Sequence, residues 1–257
     1  MRDIDKELLR AAEEGDLDKV IELIDLGANA NVVDEKGRTP LHYASENGYT
    51  KIVSRLLKVV PNTAKVEDDE GQTPLHLASE NGHTKIVSLL LEIAPETAKK
   101  KDVYGMIPLH YAFNPFMSRY EKIVFLLIKA VPETVKIKDY TGWTAIHYAS
   151  KYGTIAIVSL LLKITPETAK KENSSNNTPL HLASGLGYAE TIPFFLTVAP
   201  DTVNAKNKYK ETPLYNATEK DWKLQKRIQT LFSSVSIKLE TEMQEINKKY
   251  IRKKYIF

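Results

Sequence analysis

One tetrapeptide returns six times along the chain, and that return decides what the chain can fold into. It reads Thr39-Pro40-Leu41-His42, Thr73-Pro74-Leu75-His76, Ile107-Pro108-Leu109-His110, Thr144-Ala145-Ile146-His147, Thr178-Pro179-Leu180-His181 and Thr212-Pro213-Leu214-Tyr215. The first residues lie 34, 34, 37, 34 and 34 positions apart. A fixed period in this range specifies a stack of small units, each burying its apolar face against its neighbours, in place of a single closed core.

Residues 68–101 show what one unit contains. Thr73 followed by Pro74 is a helix start: the hydroxyl caps free N–H groups, and proline at the first helical position gives up only a hydrogen bond that would have been orphaned. Leu75, Ala78 and Ser79 share a face, and the small residues admit a second helix closely. Asn81-Gly82 ends helix one, since glycine takes the left-handed conformation without steric cost. Helix two is expected from about Thr84 to Ile93, apolar nearly all round through Ile86, Val87, Leu89, Leu90 and Leu91, and stopped by Pro95. The link from Pro95 to Lys101 leads into Asp102-Val103-Tyr104-Gly105, a turn in which Asp supplies the local hydrogen bond and Gly the positive φ.

The combination Asp-x-x-Gly-x-Thr-Pro-Leu-His-x-Ala, then Gly, then Ile-Val-x-x-Leu-Leu, resembles the ankyrin repeat family. The resemblance implies an all-α, ankyrin-repeat solenoid of stacked helix-turn-helix units with projecting β-turn or hairpin loops. Five repeats are expected over 34–206 (34–67, 68–101, 102–138, 139–172 and 173–206). Residues 1–33 read as an N-terminal capping repeat, with Leu8, Leu9, Ala11, Ala12, Val20, Leu23 and Ile24 apolar beneath a charged outer face. Residues 207–237 read as a C-terminal capping repeat and 238–257 as a basic helical tail. The chain departs from the family pattern in two ways. After helix two it carries Pro-x-Thr (Pro61/Thr63, Pro95/Thr97, Pro132/Thr134, Pro166/Thr168, Pro200/Thr202), where only Gly27-Ala28-Asn29 keeps the usual type, and a one-residue adjustment is expected there. The third and sixth units also carry three extra residues between their helices, since Ala112 to Ile123 and Ala217 to Ile228 are 11 apart against 8 for Ala78 to Ile86.

Five of the six histidines belong to the tetrapeptide. Stacked helices stand about 8–10 Å apart, too far for equivalent histidines to share a metal at about 2 Å. The resemblance implies instead that each bonds the neighbouring Thr and backbone, joining units. His83 reads as a surface residue of the inter-helix turn. Ser45, Ser79 and Ser150 recur with the helix-one period and are read as packing. Tyr43, Tyr111 and Tyr148 exchange with Leu77 and Leu182, which points to packing between repeats. No phosphate-cradling glycine loop and no His-Glu-x-x-His occurs. Without cysteine there is neither disulfide nor thiolate metal site. Neither enzyme activity, nor a cofactor, a metal or a small-molecule substrate is therefore expected.

Function is then expected from the positions the repeat leaves free. In the family these flank the turn glycine and the end of helix one, on the concave side, and contact protein partners. The first two repeats are polar there, with Glu35, Lys36, Arg38, Glu46, Asp69, Glu70 and Glu80. The third and fourth carry Tyr104, Met106, Phe113, Tyr140, Trp143, Lys151 and Tyr152, and exposed aromatics dominate interface energetics. These seven are the candidate partner-binding residues. The same repeats lose frame residues, with Ile107 in the capping position and Ala145 in the proline position. A non-enzymatic protein-interaction scaffold, monomeric and with a protein partner on that surface, is the expected function. Two alternatives stand beside it, a bacterial or protist effector acting on host proteins, and a basic tail that anchors the chain to nucleic acid or an anionic membrane.

Charge is uneven, as that last alternative requires. The net charge is +3, but residues 1–33 hold 9 acids against 4 bases and residues 207–257 hold 12 bases against 6 acids. The tail stripe Leu224, Ile228, Leu231, Val235, Leu239, Met243, Ile246 and Tyr250 has helical spacing. Lys248 to Lys254 concentrates the bases, which reads first as a solvated helix end. The charged N-terminus MRDIDKELLR lacks the apolar stretch of a leader, and no window is apolar enough to span a membrane. A cytoplasmic location is expected, with the nucleus, or a host cytosol for an effector, as alternatives.

Overall fold

The computed structural model describes residues 1–113, 119–152, 154–217 and 226–234. Among these every regular element is helical: α1 (Asp3–Glu14), α2 (Leu17–Asp25), α3 (Pro40–Glu46), α4 (Thr50–Val59), α5 (Pro74–Glu80), α6 (Thr84–Ile93), α7 (Pro108–Tyr111), α8 (Arg119–Ala130), α9 (Ala145–Tyr152), α10 (Ile155–Ile164), α11 (Pro179–Leu186), α12 (Ile192–Val198), α13 (Pro213–Asn216) and a further helix over 226–234. None of the described helices is long and apolar enough to cross a membrane. The chain divides into two compact units, residues 1–145 and 146–257.

In the first unit the helices alternate as the repeat requires. The first helices of successive repeats, α1, α3, α5 and α7, pack in a row, and the second helices α2, α4, α6 and α8 pack in another. Both α5 and α6 have the expected ends. Leu75, Ala78 and Ser79 are fully buried, as are Ile86, Val87 and Leu90, whereas Ile93 at the end of α6 is exposed. At the N-terminus Leu8, Leu9, Ala11, Ala12, Val20 and Leu23 form the buried side of α1 and α2. Asp5 ties α1 to the following link, accepting from the Asn29 N–H at 2.8 Å and from the Arg2 guanidinium. The Arg2 pairing, then the Asn29 bond, hold its carboxyl below the usual carboxylate range. The second unit repeats the arrangement, with α11 against α13 and α10 against α12.

The histidines act as the resemblance implies. In α3 the His42 Nδ1 accepts the Thr39 N–H at 3.0 Å, and the Thr39 hydroxyl lies 2.8 Å from the same nitrogen. An Nδ1 that accepts leaves the proton on Nε2. That Nε2 donates to the Gln72 carbonyl of the next repeat at 3.2 Å. The same reach joins His76 to the Met106 carbonyl, His147 to Asn177 and His181 to Glu211, while His76 also meets the Lys100 carbonyl and His110 the Ile137 carbonyl, both in the link that closes their own repeat. Burial opposes protonation, and His42, His76 and His110 are each pushed down to about 4, with His181 lowered for the same reason. Ile107 offers no hydroxyl, yet its N–H still donates to His110 Nδ1 at 3.2 Å, so the backbone half of the cap survives the loss of threonine.

His83 does not stand free at the surface. Its ring covers Gly48, where a Cβ would come within 2.5 Å of it, and Nε2 lies 2.8 Å from the Glu46 carbonyl of the preceding repeat. Tyr120 takes the same place one repeat on, its hydroxyl donating to Glu80 O at 2.8 Å, so register is recovered there after the insertion. Around that insertion α7 shortens to 4 residues and α8 lengthens to 12, against 7 and 10 for α5 and α6. Residues 114–118, and residues 218–225 of the sixth-unit insertion, lie outside the described residues.

The Pro-x-Thr link is a 3-10 turn, formed at Pro61–Lys65, Pro95–Lys99, Pro132–Lys136, Pro166–Lys170 and Pro200–Asn204. Each threonine hydroxyl donates to the carbonyl preceding the proline, Thr63 to Val60 at 2.6 Å and Thr97 to Ala94 at 2.7 Å, with Thr134, Thr168 and Thr202 alike. The turn presents a charge ladder: Lys65 pairs with Glu96 at 2.7 Å, Lys99 with Glu133, and, in the second unit, Lys170 with Asp201 at 2.7 Å.

Finally, the tyrosines at the helix-one position do more than pack. The Tyr43 hydroxyl donates to Asp34 Oδ2 and the Tyr111 hydroxyl to Asp102 Oδ2, both at 2.5 Å and both within their own repeat. Burial, then these carboxylates, raise both phenols. Tyr111 also reaches the preceding repeat, accepting from Gln72 Nε2 at 3.0 Å and meeting the His76 ring edge-on at 5.9 Å. Ser45, Ser79 and Ser150 are buried against the helices, with the Ser150 hydroxyl donating to Ile146 O.

Candidate functional site

The projecting turns carry the free side chains, and each is fixed by one residue. Asp34 Oδ1 accepts from the N–H groups of Lys36 and Arg38, both at 2.9 Å. Asp68, Asp102 and Asp139 do the same two and four residues on. Such a side chain closes the turn on itself. Adjacent turns of the first unit are then hooked together: Asp69 N–H donates to Lys36 O at 3.0 Å, Val103 N–H to Glu70 O at 2.9 Å and Tyr140 N–H to Tyr104 O at 3.1 Å. The turns form a row of braced fingers whose tips face outward.

Of the seven candidate residues, the structure brings Tyr104 and Tyr140 together, on neighbouring fingers joined by that last hydrogen bond. They are 60% and 69% exposed. The Tyr140 ring lies over Gly105, where a Cβ would come within 2.6 Å of it, and glycine is needed there for its φ of +74° as well. Lys101 Nζ stands 5.5 Å from the Tyr140 ring centroid and donates to Lys138 O, holding one edge of the ring. The rings are thus partly packed between fingers, yet each keeps most of its surface outward. Val103 adds a third exposed apolar side chain to the same tips.

Met106 and Trp143 lie at the finger bases and are half-buried, their N–H groups bonded to Asp102 and Asp139. Phe113 is 5% exposed and belongs to the core; the partner-contact role expected for it is corrected. In the second unit Lys151 is exposed and its Nζ lies 5.3 Å from the ring of the half-buried Tyr152. Two exposed tyrosines, Tyr209 and Tyr215, were not singled out. Counting the finger register through the sixth turn finds the first: Tyr209 stands two residues after Asn207 as Tyr104 stands two after Asp102. No group of three or more His, Cys, Asp or Glu that could hold a metal ion occurs among the described residues. The basic tail, Lys248 to Lys254, lies outside them.

The comparisons with known proteins agree with this architecture. A family model described as ankyrin repeats (3 copies) matches residues 8–100, 59–139 and 109–207. Among solved structures, the chain is similar to the ankyrin repeat domain of Bcl-3, described as a unique member of the IkappaB protein family. The match has a TM-score of 0.70 and 25% sequence identity, and covers 86% of this chain and 97% of that one. A search of curated protein sequences finds no match.

Proposed function

The chain belongs to the ankyrin repeat family, and from that premise we propose that it works as a non-enzymatic protein-binding module whose partner docks on the finger tips of the third and fourth repeats. The observation that carries this reading is the pair Tyr104 and Tyr140, exposed on turns that are locked both internally and to each other. Large aromatic side chains on a rigid frame give contact area with little ordering cost. Nothing in the frame itself names a partner, because the same scaffold serves many. A place in the cytoplasm and a monomeric state are part of the proposal.

The test is affinity capture and mass spectrometry with the full chain, comparing wild type with Tyr104→Ala/Tyr140→Ala. Circular dichroism and melting establish that the variant keeps its fold, as expected for side chains so exposed. Partners lost with the two rings, and recovered by Tyr104→Phe/Tyr140→Phe, support the reading. An unchanged set of partners sinks it.

A further inference from the structure

The last finger differs from the others in charge and in the residue that takes its left-handed position. Asn207 does the work of the earlier aspartates: its Oδ1 accepts from Tyr209 N–H at 2.9 Å and Glu211 N–H at 3.0 Å. Its Nδ2 donates to Asn177 Oδ1 and to Glu211 Oε2, and Lys208 N–H donates to Ser175 O at 2.9 Å, so this finger is braced too. Asparagine brings no negative charge, however. Lys206, Lys208 and Lys210 are all exposed, and none forms an ion pair among the described residues. Glu211, which follows Lys210 in the chain, is half-buried and bonded to Asn207. Between the lysines stands Tyr209, 70% exposed.

Lys210 has φ +65°, where the other turns place Gly37, Gly71, Gly105, Gly142 or Asn176. A lysine in the left-handed region is strained, and strain of this kind gathers at working positions. Three exposed lysines and an exposed ring fall within one five-residue turn, a short basic patch and not a track. A nucleic-acid strand is held by a groove several nucleotides long. A short run of carboxylates beside an apolar side chain fits the patch better, with the carboxylates on the ammonium groups and the apolar group on the tyrosine ring.

We propose that the 206–210 finger is a docking site for an acidic segment of a partner protein, read by Lys206, Lys208 and Lys210 with Tyr209 as its apolar anchor. The site shares no residue with the Tyr104 and Tyr140 surface and does not rest on it.

Fluorescence anisotropy on the full chain tests this with three labelled probes: a peptide with Glu-Asp-Glu between Leu and Phe, its Gln-Asn-Gln counterpart, and a thymidine strand of about ten nucleotides. The acidic peptide is expected to bind at least about tenfold more tightly than either control, and more weakly as salt rises. Lys206→Gln/Lys208→Gln/Lys210→Gly should lose about that factor. Lys210→Gly alone should weaken binding with no fall in Tm, since glycine suits the conformation; a variant as stable as wild type that binds less is not misfolded. Tyr104→Ala/Tyr140→Ala should leave this binding unchanged, so failure here and failure of the proposed function are separable. Equal binding by the lysine variant, which would assign the anion to bases elsewhere such as 248–254, overturns the proposal. So does tighter binding of the thymidine strand.

Discussion

The turns at Asp34, Asp68, Asp102 and Asp139 and those at Asn173 and Asn207 make the same pair of hydrogen bonds, to the N–H groups two and four residues on. What differs is the second carboxylate oxygen. An anion withdrawn from water needs another donor, and each Asp whose full contacts are described has one: Tyr43 for Asp34, Tyr111 for Asp102, and the Arg38 guanidinium for Asp68, where Leu77 cannot serve. Asn173 has no charge to satisfy, and the residue nine positions on is Leu182. The lesson is that a charged turn carries its own donor, a tyrosine nine residues on at Asp34 and Asp102 or the arginine of the preceding turn at Asp68, and that changing Asp to Asn frees a finger from internal neutralisation.

The largest expected effect separates the two units by acid. His42, His76 and His110 lie in the first, with folded values near 4 against an ordinary value of 6.5, whereas His181, lowered by burial too, lies in the second. The unfolded chain therefore binds more protons between these values. Stability from the buried neutral rings is complete above pH 6.5 and is lost as pH falls toward 4. At pH 5 the loss is on the order of 2 kcal/mol per ring, or about 6 kcal/mol for three. Urea titrations between pH 7.5 and 5, with hydrogen exchange to locate the opening, should show residues 1–145 yielding first. Opening that begins in residues 146–234 would break the comparison.

Much of the fold was legible because its punctuation is chemical. Thr73-Pro74, Asn81-Gly82 and Pro95 set the ends of α5 and α6, and Asp102 with Gly105 sets a turn, since each acts through its own backbone neighbours. What escaped depends on groups a repeat or more apart. His83 looks like a lone polar residue until its bond to Glu46 is seen, although Tyr49, His83 and Tyr120 recur at the start of helix two. Phe113 was misplaced because the insertion beyond it breaks the register by which exposure is inferred. Tyr104 and Tyr140 were legible as finger-tip residues, while Tyr209 escaped because the sixth unit was read as a cap and its finger was not counted.

The turn comparison is sharpened by Tyr111→Phe, which leaves Asp102 Oδ2 and Gln72 Nε2 each short of a partner. The expected cost is about 2 kcal/mol, that of unsatisfied groups at a half-buried site. Copying the natural Asn173/Leu182 combination as Asp102→Asn/Tyr111→Leu removes the charge together with its donor, and should cost less than the sum of Asp102→Asn and Tyr111→Leu made singly. A double-mutant cycle by urea denaturation measures this coupling. Additive costs would mean that the tyrosine serves packing alone, as its exchange with leucine first suggests.

The smallest effect belongs to the ladder beside the 3-10 turns, which both units share. The Lys65–Glu96 and Lys170–Asp201 pairs have side chains about half exposed or more, so solvent and salt screen them, and Lys65→Ala or Lys170→Ala should each cost only about 0.5 kcal/mol. The pairs nonetheless join one repeat to the next at a fixed offset, from the last residue of one turn to the second residue of its successor in the first unit. Exchanging the charges as Lys65→Glu/Glu96→Lys keeps the attraction and should restore the loss at low salt, whereas Lys65→Glu alone should cost more than Lys65→Ala. Equal melting for all four forms would leave the 3-10 turns held by their threonine hydroxyls and backbone, with the charges at the repeat junctions serving solubility rather than cohesion.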